Sequence, residues 1–171
     1  MKVALVGATG HVGSRILSEL TTRGHQVTAT VRSPEKVPAA PGVTAARGDV
    51  LDGHALAGLL KGHDVAISAV HFSDSDAATL IGAAKASGIP RYVVVGGAGS
   101  LEVAPGVKLF DTAEFPAIYL DEARMGGVFL DLLKAETGLD WSFLSPSALI
   151  QPGERTGKFR LGTDQLLVDA G

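Results

Sequence analysis

The stretch VALVGATGHVG, residues 3–13, decides the fold of this chain. Its leading apolar residues have the length of a buried strand, and they run directly into Gly7, Gly10 and Gly13. Apolar side chains at helical spacing begin at Val12, so the glycines lie in the strand–turn–helix context typical of a dinucleotide-binding turn. In such a turn the first glycine permits the tight bend, the second lets a pyrophosphate approach the backbone, and the third lets helix and sheet pack closely.

The start of the first helix is therefore the predicted phosphate site. Free backbone N–H groups and the positive end of the helix dipole favour an anion at such a position. His11 lies within the turn, where it either contacts a phosphate or is an exposed residue without a role. The alternative for the whole turn is a glycine-rich connection that binds no ligand.

Apolar segments of strand length alternate with helical patterns along the chain. The strand candidates are residues 3–6, 27–31, 43–46, 65–69, 92–95 and 141–144. Helical spacing occupies residues 12–23, 56–60, 80–88 and 122–137. Strands that alternate with helices form right-handed βαβ units. We therefore expect an α/β fold, a doubly wound (Rossmann) parallel sheet with strand order 3-2-1-4-5-6 and helices on both faces.

Length, composition and charge limit the class of protein. A chain of 171 residues fits one domain, which we expect to span residues 1–171. Because the sequence has no cysteine, disulfides, thiolate catalysis and Cys-based zinc sites are excluded, and we expect no metal site. The net charge of −3 offers no basic surface for nucleic acid or an anionic membrane. The apolar run at residues 3–6 is too short for a secretory signal or a membrane span, so we expect a soluble, cytoplasmic protein.

Two regions depart from the alternating pattern. Residues 96–118 lack clear periodicity, and loops of such length in a compact domain are usually functional or mobile. The chain ends at Gly171 shortly after a short apolar run, with no closing helix. We expect that a C-terminal extension is missing, the alternative being a natural end.

The residue after the second strand indicates which dinucleotide is preferred. NAD binding calls for an Asp or Glu there to hold the ribose 2′-hydroxyl, whereas this strand ends in Val31 followed by Arg32. A guanidinium group accepts a 2′-phosphate through charge-assisted hydrogen bonds. We therefore expect NADPH to be preferred over NADH. The alternative is that Arg32 is solvated and that Glu35 reaches the ribose.

Asp49 and Val50 follow the third strand. An Asp followed by an apolar residue at this position can bind the adenine amino group and cover the face of the base. A turn or helix-cap role for Asp49 is the alternative.

Several motifs together connect the chain to a known group. They are the glycine pattern of residues 7–13, Arg32, GDV at 48–50, SAV at 68–70, GGAGS at 96–100 and GERTG at 153–157. These motifs resemble the atypical short-chain dehydrogenase/reductases, and more closely the NmrA-like, NAD(P)H-binding family that includes flavin and biliverdin-IXβ reductases. The resemblance covers essentially the whole chain. Members of this group normally continue for a further strand or helix, which strengthens the expectation of a missing extension.

The resemblance implies which of these motifs would bind each part of the cofactor. The pyrophosphate would be held by Gly7, Thr9, Gly10, His11 and Val12. The 2′-phosphate would be held by Arg32 and Ser33, and the adenine by Asp49 and Val50. The ribose would be lined by Ser68, Ala69 and Val70, and the nicotinamide would lie near Gly96, Gly97 and Pro146.

The catalytic residues of short-chain dehydrogenases have only a partial counterpart. Those enzymes typically use the Tyr of a Tyr-x-x-x-Lys helix as proton donor and a serine after the fifth strand to polarise the carbonyl. Ser100 and Tyr119 are the candidates here, but Ala123 stands where the lysine should be. A phenol without a neighbouring cation has a reference pKa of about 10, so acid catalysis at neutral pH lacks its activated donor. We therefore expect Tyr119 to line the pocket rather than to act as an obligatory acid.

These expectations favour a reductase. We expect an NADPH-binding protein that transfers a hydride to a small conjugated acceptor, such as a flavin or a quinone. The alternative is a non-catalytic NADP(H) redox sensor in which residues 96–118 or the last segment engage a protein partner. Sugar-nucleotide epimerase or dehydratase chemistry would need the intact Tyr–Lys pair.

Two further groups of residues have open roles. A charged segment is expected at the lip of the cleft, where it would either meet an anionic acceptor or remain solvated; its charges are Glu154, Arg155, Lys158 and Arg160. Trp141 and Phe143 alternate on the sixth strand, and we expect them in the core rather than stacked on a cofactor.

Overall fold

The computed structural model describes residues 1–168 and is built on one six-stranded parallel sheet. The strands are β1 (Lys2–Val6), β2 (Gln26–Val31), β3 (Val43–Arg47), β4 (Val65–Ser68), β5 (Tyr92–Val95), β6 (Glu102–Ala104), β7 (Val107–Lys108) and β8 (Trp141–Leu144). The large sheet has the order β3-β2-β1-β4-β5-β8. The predicted order is confirmed, because β8 is the sixth strand of that sheet and β6 and β7 form a separate pair.

Four α-helices cover the two faces of the sheet. They are α1 (His11–Thr22), α2 (Gly53–Leu60), α3 (Ala77–Ser87) and α4 (Leu120–Ala135). The helix ends follow from local chemistry: Asp52 and Asp76 cap the starts of α2 and α3, and Gly88 ends α3 with a φ of +68°. Helix α1 packs on one face, while α2, α3 and α4 pack on the other.

Strand β1 is central because both of its faces are apolar. Val3 and Leu5 belong to the core beneath α1, and Ala4 and Val6 belong to the core beneath the other helices. A strand covered on both faces reads as a continuous apolar run, which is why VALV was a strong strand signal. The turn that follows β1 is thereby held at the carboxyl edge of the sheet, between β2 and β4.

Residues 96–118 are more ordered than their sequence suggests. They contain the antiparallel pair β6–β7 and short 3-10 helices at Ala98–Ser100 and Leu109–Asp111, and a third 3-10 helix, Ala117–Tyr119, begins at their end. Pro105 and Gly106, the latter with a φ of +73°, join β6 to β7. A Pro–Gly pair is a turn signal that could have revealed the hairpin.

The segment after β8 runs along the surface of the domain. It touches the hairpin where the amide of Glu102 donates to the carbonyl of Asp164 at 2.7 Å and the amide of Leu166 donates to the carbonyl of Glu102 at 2.9 Å. The expectation about how the chain ends concerns residues 169–171 and what would follow them, which lie outside the described residues. None of the helices within residues 1–168 has the length and apolar character to cross a membrane.

Candidate functional site

A cleft of about 1130 Å³ lies at the carboxyl edge of the sheet. Open α/β sheets bind ligands at this edge where the strand order reverses, which here is between β1 and β4. The cleft is lined by every residue that the sequence placed at the cofactor except Ser33 and Ser68. Those lining residues are Gly7, Thr9, Gly10, His11, Val12, Arg32, Asp49, Val50, Ala69, Val70, Gly96, Gly97 and Pro146.

Close backbone contacts require glycine at two positions of the turn. Gly7 has a φ of +84°, and a Cβ on it would lie 2.5 Å from the carbonyl oxygen of Ala69. A Cβ on Gly13 would overlap the carbonyl oxygen of Gly7, which brings helix α1 against the strand. A Cβ on Gly10 would lie 3.3 Å from the same oxygen, so this position is tight but not blocked. Only the first and third glycines are therefore required by the fold itself.

The start of α1 fits a dinucleotide phosphate. Gly10 is the N-cap residue, and within residues 1–168 no side chain accepts a hydrogen bond from the first turn. The first backbone N–H groups of a helix have no partner inside the helix, so they are available to an anion in the cleft. A carboxylate or hydroxyl cap at this position would compete with such an anion.

The open space beside Gly97 is a second, independent feature that fits a bound ligand. A Cβ on Gly97 would have no atom of the described chain within 4 Å, although the residue lines the cleft. The protein therefore does not need a glycine there for its own packing. Gly96 differs, because a Cβ on it would overlap the ring of Phe143. These features fit a nicotinamide dinucleotide that lies close to the backbone.

The side of the cleft formed by β2 and β3 carries the charges that would face the adenosine. Arg32 is exposed and lines the cleft, and its carbonyl accepts a hydrogen bond from Nη1 of Arg47 at 2.9 Å. Glu35 is exposed and lies outside the cleft lining. Asp49 lines the cleft, and its Oδ1 also accepts the amide of Leu51 at 3.0 Å. Asp49 therefore has the turn role given above as the alternative. Its Oδ2 does not take part in this hydrogen bond.

Three predicted serines lie outside the cleft lining. Ser33 is half-buried at the start of the 3-10 helix Pro34–Lys36. Ser68 is buried in β4. Ser100, the candidate for polarising a carbonyl, is buried, and its hydroxyl donates to the carbonyl of Gly97 at 3.4 Å.

Tyr119 lies at the entrance of the cleft, immediately before α4. Its side chain lines the cleft and the residue is 61% exposed. Ala123, one turn further along α4, also lines the cleft. A Cβ on Gly99 would lie 2.8 Å from the Cβ of Ala123, so the helix packs tightly on the 3-10 helix Ala98–Ser100 at this point. This close packing explains why a small residue, Ala123, stands at the position that a lysine occupies in the Tyr-x-x-x-Lys pattern.

The cations that could substitute for the missing lysine are elsewhere. Lys108 lies over the ring of Phe110, with 5.5 Å from Nζ to the ring centroid, and its Nζ is 3.6 Å from Oδ2 of Asp131. Arg124 is exposed and is outside the cleft lining. Within the described residues, neither cation shares the cleft with Tyr119.

Glu122 is a residue of the cleft that the sequence did not indicate. Its Oε1 accepts the amide of Phe72 at 2.8 Å, and its Oε2 accepts the amide of Ser73 at 2.8 Å. Nδ1 of His71 lies 3.3 Å from Oε1. Partial burial raises the pKa of Glu122, but hydrogen bonds from Ser73 and Phe72 and the nearby His71 outweigh it and lower the pKa below its usual value. The ionised carboxylate therefore fastens the loop after β4 to α4.

Glu122→Gln is expected to destabilise the fold by about 1–2 kcal/mol at pH 7, because the two backbone amides would then donate to a neutral acceptor instead of a carboxylate. The expected loss is modest because solvent partly screens the carboxylate. A carboxyl whose pKa is lower in the folded state contributes stability above its unfolded pKa, and this contribution is lost as the pH falls through the folded pKa. Urea unfolding at pH 7, 5 and 4 should therefore show the two proteins converging towards acid pH. An equal difference at all three values would contradict this role.

The charged segment after β8 does not border the cleft. Arg155 donates from Nη1 and Nη2 to the carboxylate of Glu19 on α1, at 2.7 and 3.1 Å. Hydrogen bonds from Arg155 and Arg23 hold the pKa of Glu19 below its usual value. Neither Lys158 nor Arg160 is among the described residues that line the cleft. Of the two roles left open for this segment, these positions favour a solvated surface segment over contact with an acceptor.

The remaining residues missed from the sequence come from loops that only the fold brings together. Leu109, Phe115 and Pro116 come from the aperiodic region, and Leu149 and Ile150 come from the segment after β8. No motif or spacing marked them, because each lies far along the chain from the glycine turn. Trp141 and Phe143 pack against the core as expected, and the ring of Phe143 stacks on Phe72.

The comparisons with known proteins identify the family of the chain and its structural relatives. Residues 7–170 match the family described as NAD(P)H-binding. The fold resembles a "putative exported protein" from Burkholderia pseudomallei, at 45% identity and a TM-score of 0.85 over 99% of this chain and 83% of that one. A "putative epimerase" from Bacteroides thetaiotaomicron shares 40% identity, with a TM-score of 0.92 over 98% and 80%. A "putative NADH-flavin reductase" from Streptococcus pneumoniae shares 31% identity, with a TM-score of 0.83 over 98% and 82%.

Proposed function

The chain belongs to the NAD(P)H-binding family, and we propose that it is an NADPH-dependent reductase of a small, flat, conjugated acceptor. The observation that carries this proposal is one continuous cleft that runs from the glycine turn to an end with largely aromatic and aliphatic walls. We call this the acceptor end; its walls include Phe72, Val95, Leu109, Phe115, Tyr119 and Ile150. The similarity to a protein described as an NADH-flavin reductase supports the same reaction class.

The chain's own residues would hold the cofactor along the cleft. The glycine turn offers N–H groups to the pyrophosphate, and Arg32 offers its guanidinium to a 2′-phosphate, assisted by Ser33. Asp49 and Val50 would contact the adenine, while Gly96, Gly97 and Pro146 leave room for the nicotinamide. When bound, the nicotinamide supplies a hydride.

The acceptor end supports a conjugated acceptor better than a simple ketone. A ketone needs a proton donor for the alkoxide that develops, and Tyr119 lacks the lysine that would activate it. A flavin or quinone accepts a hydride at a conjugated centre and can take its proton from water. For such an acceptor the protein has only to hold one flat ring against the cofactor, which aromatic and aliphatic walls can do.

The test of this proposal is NADPH oxidation followed at 340 nm with three classes of acceptor. We expect turnover with flavins and quinones and little or none with aliphatic aldehydes and ketones. Efficient reduction of simple carbonyls alone would contradict the proposal, because it would require an activated proton donor.

Tyr119→Phe is expected to change kcat with the best acceptor by less than about tenfold, because general acid catalysis normally contributes 10²–10⁴-fold and Tyr119 lacks its activating partner. KM for the acceptor can change more, since the exposed ring lines the cleft. Steady-state kinetics of the two proteins at saturating NADPH provide the measurement. A loss of a hundredfold or more in kcat, with NADPH binding intact, would show that another cation activates the phenol and would restore carbonyl reduction as the leading function.

A non-catalytic NADP(H) sensor is the second candidate, and the absence of the Tyr–Lys pair favours it. Its signature would be tight NADPH binding without oxidation by any acceptor of the panel. In that case we expect residues 96–118, which contribute Leu109 and Phe115 to the cleft, to change their hydrogen-exchange protection when the cofactor binds.

A further inference from the structure

We propose that the acceptor end selects an uncharged ring and disfavours an anionic one. This inference rests on the proposed function, since it concerns the molecule that would lie beside the nicotinamide. It narrows the acceptor to an uncharged flavin or quinone and disfavours flavins and quinones that carry a phosphate or sulfonate group.

The charges of the cleft are separated between its two ends. The carboxylates of Asp74, Glu114 and Glu122 lie at the acceptor end. Arg32 is the single lysine or arginine among the described residues that line the cleft. It follows β2, which pairs with the opposite side of β1 from β4, so it lies at the adenosine end. A cofactor with a 2′-phosphate would thus meet the cation, whereas the charged side chains near the acceptor, apart from His71, are carboxylates.

Two cations outside the cleft lining, Lys108 and Arg155, are engaged with other groups. Lys108 is held by Asp131 and the ring of Phe110, and Arg155 is bound to Glu19. Moving either side chain into the cleft would break these contacts.

The positive end of α4 does not create an anion site at the acceptor end. Asp121 and Glu122 occupy the first turn of that helix and oppose its dipole. His71 is the remaining basic side chain there, and its Nδ1 faces the carboxylate of Glu122. The groups that face the acceptor therefore sum to a negative field, which repels an anion and leaves a neutral ring unaffected.

The walls of the acceptor end fit a flat ring. Phe72 and Phe143 are stacked, with centroids 6.0 Å apart and planes at 18°, and Phe72 lines the cleft. Gly126 lets Phe72 approach α4, because a Cβ there would lie 2.9 Å from the ring. Flat apolar walls with carboxylates at the rim favour a ring that is conjugated but uncharged.

Riboflavin and FMN form a matched pair of probes, because they share one ring system and differ by a phosphate. Quenching of flavin fluorescence by the protein, measured with saturating NADP⁺ so that no turnover occurs, gives the two dissociation constants. We expect riboflavin to bind roughly tenfold more tightly than FMN at low salt, and the difference to shrink at 0.5 M NaCl. The uncharged 1,4-naphthoquinone and its 2-sulfonate, followed by competition with riboflavin, repeat the comparison on a second ring.

Glu114→Lys places a cation at the acceptor end and is expected to tighten FMN binding by roughly tenfold while changing riboflavin binding less than twofold. Glu154→Lys makes the same charge change outside the cleft lining and is expected to leave the ratio of the two flavins unchanged. FMN binding as tightly as riboflavin to the wild-type protein would overturn the inference, and so would a failure of both neutral probes to bind. The proposed function fails separately, if neutral probes bind but NADPH is not oxidised.

Discussion

Gly10→Val is expected to weaken NADPH binding by at least about a hundredfold while the fold survives. Gly10 is the N-cap of α1 and lines the cleft, where the pyrophosphate would approach the backbone. A Cβ there lies 3.3 Å from the carbonyl oxygen of Gly7, so the protein can accommodate it with a small adjustment. The branched side chain beyond that Cβ would occupy the phosphate site.

Two control variants separate binding from folding. Gly58→Val makes the same substitution on α2, outside the cleft lining, where a Cβ has no atom of the described residues within 4 Å; NADPH binding should be unchanged. Gly13→Ala should destabilise the protein itself, because its Cβ overlaps the backbone of Gly7. Isothermal titration with NADPH and thermal unfolding of each variant provide the measurements. Normal NADPH binding by a folded Gly10→Val protein would mean that the cofactor lies elsewhere.

The fold was predictable because its signals are local. The run at residues 3–6 is buried on both faces, and the helix after it carries an apolar stripe, so period and composition agree. The β6–β7 pair was missed because its strands are too short to show a period. The local signal for this hairpin is its Pro105–Gly106 turn.

The side of the cleft around the glycine turn could be predicted because it is built from motifs that directly follow strands. Arg32 and Asp49 are located by the ends of β2 and β3, so their positions follow from the strand assignments. The acceptor end could not be predicted in this way. Glu122 is recognisable only once α4 is seen to lie against the loop at Phe72, and Ile150 only once the segment after β8 is seen to line the cleft. These contacts depend on tertiary packing and leave no pattern in the sequence.

Arg32→Ala is expected to weaken NADPH binding by about 10- to 100-fold and to leave NADH binding nearly unchanged. The guanidinium would form charge-assisted hydrogen bonds with the 2′-phosphate, and each bond to a charged group contributes about 1.5–3 kcal/mol before solvent screening. The carbonyl of Arg32 is held by Arg47, so the backbone at this position should keep its place when the side chain is removed. The wild-type protein is accordingly expected to prefer NADPH over NADH by at least about tenfold, or 1.4 kcal/mol.

Titration of each variant with NADPH and NADH tests this preference and its alternative together. Arg124→Ala is the matched control, because it removes an exposed arginine that is outside the cleft lining, and it should alter neither affinity. Glu35→Gln tests whether that carboxylate reaches the ribose: NADH binding should be unaffected, since Glu35 does not line the cleft. Equal affinities of the wild-type protein for the two cofactors, or a loss of NADH binding in Glu35→Gln, would remove Arg32 as the residue that selects the cofactor. Because 2′-phosphate recognition depends on charge, the NADPH preference should also fall as salt is raised, whereas a preference based on shape would persist.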